Sequence, residues 1–363
     1  LQQLTDYLQK ALLPFHYGKA GIFHILIKSL QVGLTTVSVF RIFKQMNSSQ
    51  NAPPAFNWDA WYGSVGGRTI KIEKADELLK NIKEGQYPRF DGAVTLEKKI
   101  FANEIEARET IKQKARELGA DEVGVALIEA SDIYKGRTIE EKFAIVVGQK
   151  MRWREFQNVT SEASAVECLR IYLSLGEIVI ALADYVRSLG YACKVEHPIG
   201  DSDVLHVPLA LKAGFGELGR HGSIIHPKMG PLFRLGSVIT SMPLATDHPI
   251  DAGIAKFCDS CKACRIYCPA NAIPDERSPE AGKDHLGNDR YMVDTGKCFP
   301  YFAKHNYCSI CLPVCVYQHK EWAKDFEGFH TSLWPKLNMP EAPPEVDPLP
   351  LGERHYFPKK NIL

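Results

Sequence analysis

Cysteine placement constrains this chain more than any other feature. There are ten cysteines; none precedes Cys168, and eight fall between Cys258 and Cys315. A disulfide framework normally spreads through a small secreted domain. At 363 residues this chain is large, and its thiols are bunched. Bunched thiols in a large chain read as metal ligands.

The first run is Cys258, Cys261, Cys264, Cys268 and then Pro269, which is C-x2-C-x2-C-x3-C-P. In this iron–sulfur pattern three close thiolates face one [4Fe–4S] cube and the fourth cysteine serves a second cube. The second run is Cys298, Cys308, Cys311 and Cys315. The spacing therefore predicts one cluster on Cys258, Cys261, Cys264 and Cys315. It predicts the other on Cys268, Cys298, Cys308 and Cys311. Eight thiolates could instead bind two zinc ions, but the x2-x2-x3-P spacing speaks for iron. A proline is common after the last cysteine, where this chain has Val316; that alters a turn and no ligand. Cys168 and Cys193 lie outside both runs and read as small core residues. Two such clusters imply single-electron transfer.

Bulk properties bound the rest. Hydrophobic residues make up 45%, enough for a sizeable core, and the net charge is +1. That balance gives no electrostatic reason to expect a nucleic-acid partner. No secretory signal or twin-arginine pair is visible near the start, although the first residue is Leu. The stretch 20–40, AGIFHILIKSLQVGLTTVSVF, is long and apolar, but His24, Lys28 and Gln31 interrupt it. It reads as a buried or amphipathic helix, with contact to a membrane or a membrane partner as the alternative.

Along the chain, residues 1–50 read as helical and 51–68 as a loop. Charged helical stretches are predicted over 71–84 and 104–118. Strands are predicted over 122–127, 143–147, 191–195 and 235–240. A long helix over 164–188 should end at Gly190, and a short helix from Val207 precedes a glycine-rich turn. Alternating helix and strand argue for an α/β (α+β) core. The divisions are a helical or irregular region over 1–103, the core over 104–250, the cysteine module over 251–325 and an extended tail over 326–363.

Three blocks carry a resemblance. They are Tyr172–Tyr191 (YLSLGEIVIALADYVRSLGY), Ala213–Leu244 (AGFGELGRHGSIIHPKMGPLFRLGSVITSMPL) and Phe257–Ile273 (FCDSCKACRIYCPANAI), followed by the second cysteine run. In order and spacing, over roughly 104–320, they resemble the cobalamin-dependent reductive dehalogenases. The resemblance implies a nitroreductase-like cobalamin-binding core and a C-terminal two-cluster module like that of bacterial ferredoxins. It implies that Tyr172 donates a proton to the substrate carbon and that Arg234 assists. The sister family, the epoxyqueuosine reductases, has an aspartate near the position of Tyr172 and an apolar residue at that of Arg234. It also has a helical repeat domain after the clusters.

The chemistry suits these residues. A tyrosine hydroxyl titrates near 10 and is protonated at neutral pH. A guanidinium beside it favours the phenolate that proton donation leaves behind. Leu169, Tyr172, Leu175, Val179, Ala183 and Val186 share one helical face, so Tyr172 should point inward. Without the resemblance, Tyr172 would read as a core tyrosine and Arg234 as a surface arginine. Gly214, Gly216 and Gly219 mimic a dinucleotide fingerprint but follow a helix-like run. With Gly222 they read instead as close backbone approach to a large cofactor.

The D-x-H-x-x-G motif that gives cobalt a histidine is absent, since Asp284-His285-Leu286-Gly287 has the wrong spacing. Base-off cobalamin is therefore expected, with His206 the nearby histidine placed at the cofactor. An asparagine that shapes the pocket in some dehalogenases has no clear match; Asp201, Asp203 or His206 takes its place.

The reading is thus an oxidoreductase that removes halide from an organohalide, with epoxyqueuosine reduction on tRNA as the alternative. A halogenated aromatic substrate would suit Trp58, Trp61, Tyr62 and Trp153. Electrons would come from a ferredoxin, a flavodoxin or a membrane reductant. The expected location is cytoplasmic with membrane contact through the N-terminal apolar stretch, or exported and membrane-bound.

Overall fold

The computed structural model describes residues 71–156, 159–199 and 202–318. The expectations for 1–70 and for the tail from 319 onward lie outside them, as does Asp201. The described residues fall within one compact unit, Phe56–Leu363.

The centre is a four-stranded sheet in the order β1-β2-β6-β3. Its strands are β1 (Glu122–Leu127), β2 (Phe143–Lys150), β3 (Cys193–Glu196) and β6 (Phe233–Thr240). Every pairing is antiparallel. The alternation of helix and strand therefore resolves as α+β, with no parallel crossover among the described residues. Two short strands, β4 (Glu217–Leu218) and β5 (Ile224–Ile225), form a separate hairpin.

Alternate residues of the central strands feed two cores, as a period of two demands. Val123, Val125, Ile145, Val147 and Val238 face helices α2 (Glu104–Glu117) and α3 (Glu162–Ser188). Ala126, Ala144, Val146, Leu235 and Ile239 face helix α4 (His206–Lys212) and Phe215. Strand β1 is an edge. Its Val125 N–H, which would otherwise point at no strand, donates to Asp247 at 2.8 Å, and Lys112 anchors that carboxylate at 2.9 Å.

Helix α3 runs for 27 residues. Ser161 caps it: the Ser161 hydroxyl accepts from the Ser164 N–H, and the Ser161 N–H donates to the Ser164 hydroxyl, both at 3.3 Å. At the other end Gly190 N–H donates to Arg187 O and Tyr191 N–H to Val186 O, a Schellman closure. Gly190 sits at φ +82, which explains why the helix stops at this glycine.

The C-terminal half of α3 packs on the sheet through Leu175, Val179, Ala183 and Val186. Its N-terminal half has other neighbours. There Ala165, Cys168, Leu169 and Ile171 join Ile72, Ala75 and Ile82 from helix α1 (Glu73–Asn81) and the turn after it. The same core takes in Cys264, Tyr267, Ile310, Leu312 and Val314 of the cysteine module. One helix thus joins the sheet to the thiol-rich module.

The module contains helices α5 (Ile254–Ser260), α6 (Ala263–Ile266) and α7 (Thr295–Lys304). Between its two cysteine runs lies a hairpin of β7 (Ser278–Lys283) and β8 (Asp289–Arg290), which the sequence reading did not anticipate. Among the described residues no helix is long and apolar enough to cross a membrane.

Candidate active site and thiol sets

Tyr172 lies on α3 where the sheet-packed half gives way to the module-packed half, and it is half-buried. Arg234 lies near the start of β6, in register with Gln149 of β2. Register partners in an antiparallel pair share a face. Arg234 and Gln149 therefore both face α3.

The Arg234 guanidinium carbon stands 5.5 Å from the Tyr172 ring centroid, within cation–π range. Nη2 of Arg234 donates to Cys168 Sγ at 3.2 Å. Cys168 is one turn before Tyr172 on the same helical face, so one cation spans two consecutive turns of α3. Cys168 is a buried core residue, as expected, and its sulfur also holds the arginine. Burial works against the Arg234 charge. Tyr172 and then Cys168 outweigh it, with a smaller contribution from Cys311, and hold the guanidinium above its ordinary value.

Two buried polar atoms here have no hydrogen-bond partner, Nε of Arg234 and Oε1 of Gln149. One is a donor and the other an acceptor, and they sit on register partners. A ligand group with both capacities would satisfy them. This is the observation against which a bound polar group can be tested, and the site suits one.

Just before Cys168, Glu167 has a fully buried side chain. It accepts from Arg152 N–H at 2.7 Å and from Arg170 Nε at 2.6 Å. Burial would raise its pKa, but the bonds from Arg170 and Arg152 leave it lowered. The pair anchors the 151–156 segment, including the buried Phe156 and half-buried Trp153, against α3. On the opposite flank Gln86 donates to Leu173 O at 2.7 Å and accepts at 2.8 Å from His197 Nε2. An open cleft of about 480 Å³ lies there, lined by Gln86, Arg89, Leu173 and Glu177.

The eight module thiols fall into two sets by mutual influence. Cys264 is affected by Cys261, Cys258 and Cys315, and Cys315 by Cys258 and Cys261. Cys308 is affected by Cys298 and Cys268, and Cys311 by Cys308, Cys298 and Cys268. The sets approach each other at Cys311, which acts on both Cys264 and Cys315. Of the first set, Cys258, Cys261 and Cys315 pack among Ile225, Ile254, Phe257 and Tyr291, while Cys264 joins the core beside α3. In the second, Cys268, Cys308 and Cys311 pack into the core that also holds Tyr172.

Burial pushes Cys258 up to about 11 against the pull of Arg220 and Arg277, and burial ahead of mutual repulsion pushes Cys261 and Cys308 to about 12. Cys264, Cys311 and Cys315 are pushed higher still. Apolar surroundings alone would keep these groups as neutral thiols, and only a metal makes so many buried thiolates tenable. The all-sulfur donor sets suit soft metals and iron–sulfur bodies. Among the described residues no three His, Cys, Asp or Glu side chains converge as a single metal ion requires.

His206 opens α4, and both its ring nitrogens are engaged, Nδ1 with Ser237 Oγ at 3.0 Å and Nε2 with His197 O at 3.3 Å. Burial pushes it down to about 4, so it is neutral at pH 7. The glycines of the 214–222 turn approach the chain's own atoms. A Cβ on Gly216 would lie 2.0 Å from Ile225 O, and one on Gly214 would lie 2.6 Å from His248 O. Gly219 and Gly222 face Ile225 and Val293.

Sequence reasoning did not single out Gln149, Glu167 or Cys168 for the site. Cys168 was within reach, being four residues before Tyr172. Gln149 was not, because strand register is invisible in the sequence.

The architecture is a four-stranded antiparallel sheet joined by α3 to two buried thiol sets. No protein-family model matches the chain. Its homologues are reductive dehalogenases. It is 30% identical over 201 residues to the tetrachloroethene reductive dehalogenase of Desulfitobacterium hafniense, covering 53% of this chain and 36% of that protein. The catabolic reductive dehalogenase NpRdhA, solved in complex with 3-bromo-4-hydroxybenzoic acid, superposes with a TM-score of 0.61 at 25% identity. That match covers 72% of this chain and 39% of the other. A more distant relative is the epoxyqueuosine reductase of Shewanella oneidensis, 32% identical over 168 residues, or 44% of this chain and 41% of that protein. The chain spans less than half the length of the dehalogenases it matches.

Proposed function

We propose that this chain carries the catalytic core of a reductive dehalogenase acting on an organohalide. The observation that carries the reading is the placement of Arg234 over Tyr172, at the end of α3 that also packs against Cys268, Cys308 and Cys311. Proton donor and electron source then meet at one place.

In this reading the thiol sets hold two [4Fe–4S] clusters, fed by an external one-electron donor. A base-off corrinoid beside Tyr172 would supply the low-potential cobalt chemistry that displaces halide. The protein supplies the proton. Tyr172 gives its hydroxyl hydrogen to the carbon as halide departs, and Arg234 stabilises the phenolate that remains. Because Arg234 keeps its charge when buried, the stabilisation is present before the reaction begins. Nε of Arg234 and Oε1 of Gln149 orient a polar substituent of the substrate. A hydroxylated haloaromatic has such a group, and NpRdhA was solved with one.

The test is anaerobic reconstitution with iron, sulfide and corrinoid, followed by metal analysis, EPR and halide release. Bromide from 3-bromo-4-hydroxybenzoate and chloride from tetrachloroethene would be compared under a reduced viologen. Iron and cobalt with halide release from either support the reading. Zinc in place of iron, no corrinoid uptake, or binding of an epoxyqueuosine stem-loop without halide release would overturn it.

A further inference from the structure

Arg220 is the largest fully buried side chain among the described residues, at 1% exposure. It lies in the 214–222 turn and points into the first cysteine run. Its Nε donates to Cys258 O at 3.2 Å and Cys261 O at 3.1 Å. Nη2 donates to Cys258 O at 2.6 Å and Asp259 O at 3.2 Å. Nη1 donates to Pro274 O at 3.0 Å and to Asp275 O. Its guanidinium carbon lies 4.2 Å from the Tyr291 ring centroid. Every hydrogen-bond partner is a backbone carbonyl, and no carboxylate pairs with it among the described residues.

Arg277 provides the contrast. It shares the Tyr291 ring at 4.7 Å, but Asp259 neutralises it at 2.6 Å, and Asp284 stands 3.9 Å away. An unpaired buried cation is costly, by several kcal/mol. Carbonyl dipoles soften that cost but cancel no charge. The remaining candidates for a counter-charge are the sulfurs that the turn carries. Arg220 acts on both Cys258 and Cys261 in the sense that favours thiolate, and Arg277 acts on Cys258 alone. In the second set the Arg234 charge reaches Cys311, but no arginine or lysine acts on Cys298 or Cys308, and Asp294 opposes the charge on Cys298.

We infer that Arg220 is a redox-positioning residue: its buried charge has the cluster on Cys258, Cys261, Cys264 and Cys315 as counter-ion and raises that cluster's reduction potential. This rests on the reading that the sets hold [4Fe–4S] clusters. Reduction adds one electron from the donor to the cluster, which gains one negative charge while its four thiolates stay bound. A fixed cation against the cluster's peptide shell stabilises the reduced form more than the oxidised one. The second cluster, which has Arg234 near Cys311 and no contact with Arg220, is left where it was.

The experiment compares wild type, R220Q and R220K after anaerobic reconstitution. Iron is counted, and both clusters are titrated with dithionite under EPR; C258S identifies which signal belongs to the first set. In R220Q that cluster's reduction equilibrium falls at least tenfold, about 59 mV for one electron, and the other signal does not move. R220K, which keeps the charge and loses the fork, stays near wild type. If R220Q loses its iron, R220K decides: retained iron and potential support the inference, and loss there too shows that the hydrogen bonds matter and the charge does not. R220Q titrating as wild type, or R220K falling as far as R220Q, overturns it. Wild type without iron refutes the cluster reading itself, which is a separate outcome.

Discussion

Arg234 is held between Tyr172 and Cys168, stacked over the ring of one and bonded to the sulfur of the other. The two contacts fix the guanidinium across successive turns of α3 and leave Nε facing the interior. A cation placed in this way serves a phenol that must release its proton.

Tyr172→Phe removes the proton and keeps the ring. Halide release should fall by roughly 10²–10⁴-fold, the usual contribution of a positioned acid. Iron and corrinoid content should match wild type by metal analysis. Turnover within threefold of wild type would show that Tyr172 is not the donor.

Cys168→Ala takes one acceptor from Arg234. Stability should drop by about 1 kcal/mol, read as a urea midpoint, and the pH profile of turnover should shift as the arginine loosens. Cys168→Ser, which restores an acceptor, should recover the profile. A profile that Cys168→Ala leaves in place would show that the thiol only fills space.

Glu167 carries a pH signature. Its folded pKa lies below the ordinary 4.5. Its contribution is therefore complete above that value and is lost as pH falls through the lower folded one. Glu167→Gln should cost about 1–3 kcal/mol at pH 7, since both arginine partners are partly in water. The deficit should shrink below pH 4 in urea titrations.

His206 has the opposite chemistry and the same direction. Burial holds it near 4, against an ordinary 6.5. Between those values the unfolded chain takes up a proton that the folded chain refuses, so stability falls as pH drops across the window. His206→Gln should flatten that slope. An unchanged slope would mean that His206 does not titrate differently on folding.

Cys258→Ser and Cys298→Ser strike different thiol sets. Each should disturb one EPR signal and spare the other, with iron falling by up to half. If both variants alter the same signal, the division into two sets is wrong.

How much of this could be read beforehand follows from the range of the forces. The helix over Glu162–Ser188 was legible because its cap, its apolar period and its terminal glycine are local. The strands at Glu122–Leu127 and Phe143–Lys150 were legible as apolar runs between breaks. The hairpin at Ser278–Lys283 was not, because SPEAGK is mostly exposed and carries no apolar alternation. Cys168 was legible as a core residue, but its bond to Arg234 was not, because burial and hydrogen bonding look alike in a sequence.

The sequence by itself determined the thiol spacing, and the C-x2-C-x2-C-x3-C-P run was enough to predict two sets of four cysteines from the chain alone. The tertiary structure alone decided which charges attend them. Arg220 is separated from Cys258 by 38 residues and Arg234 from Cys168 by 66, yet both pairs touch. Packing and strand register bring such groups together, and neither leaves a mark on the local pattern of residues.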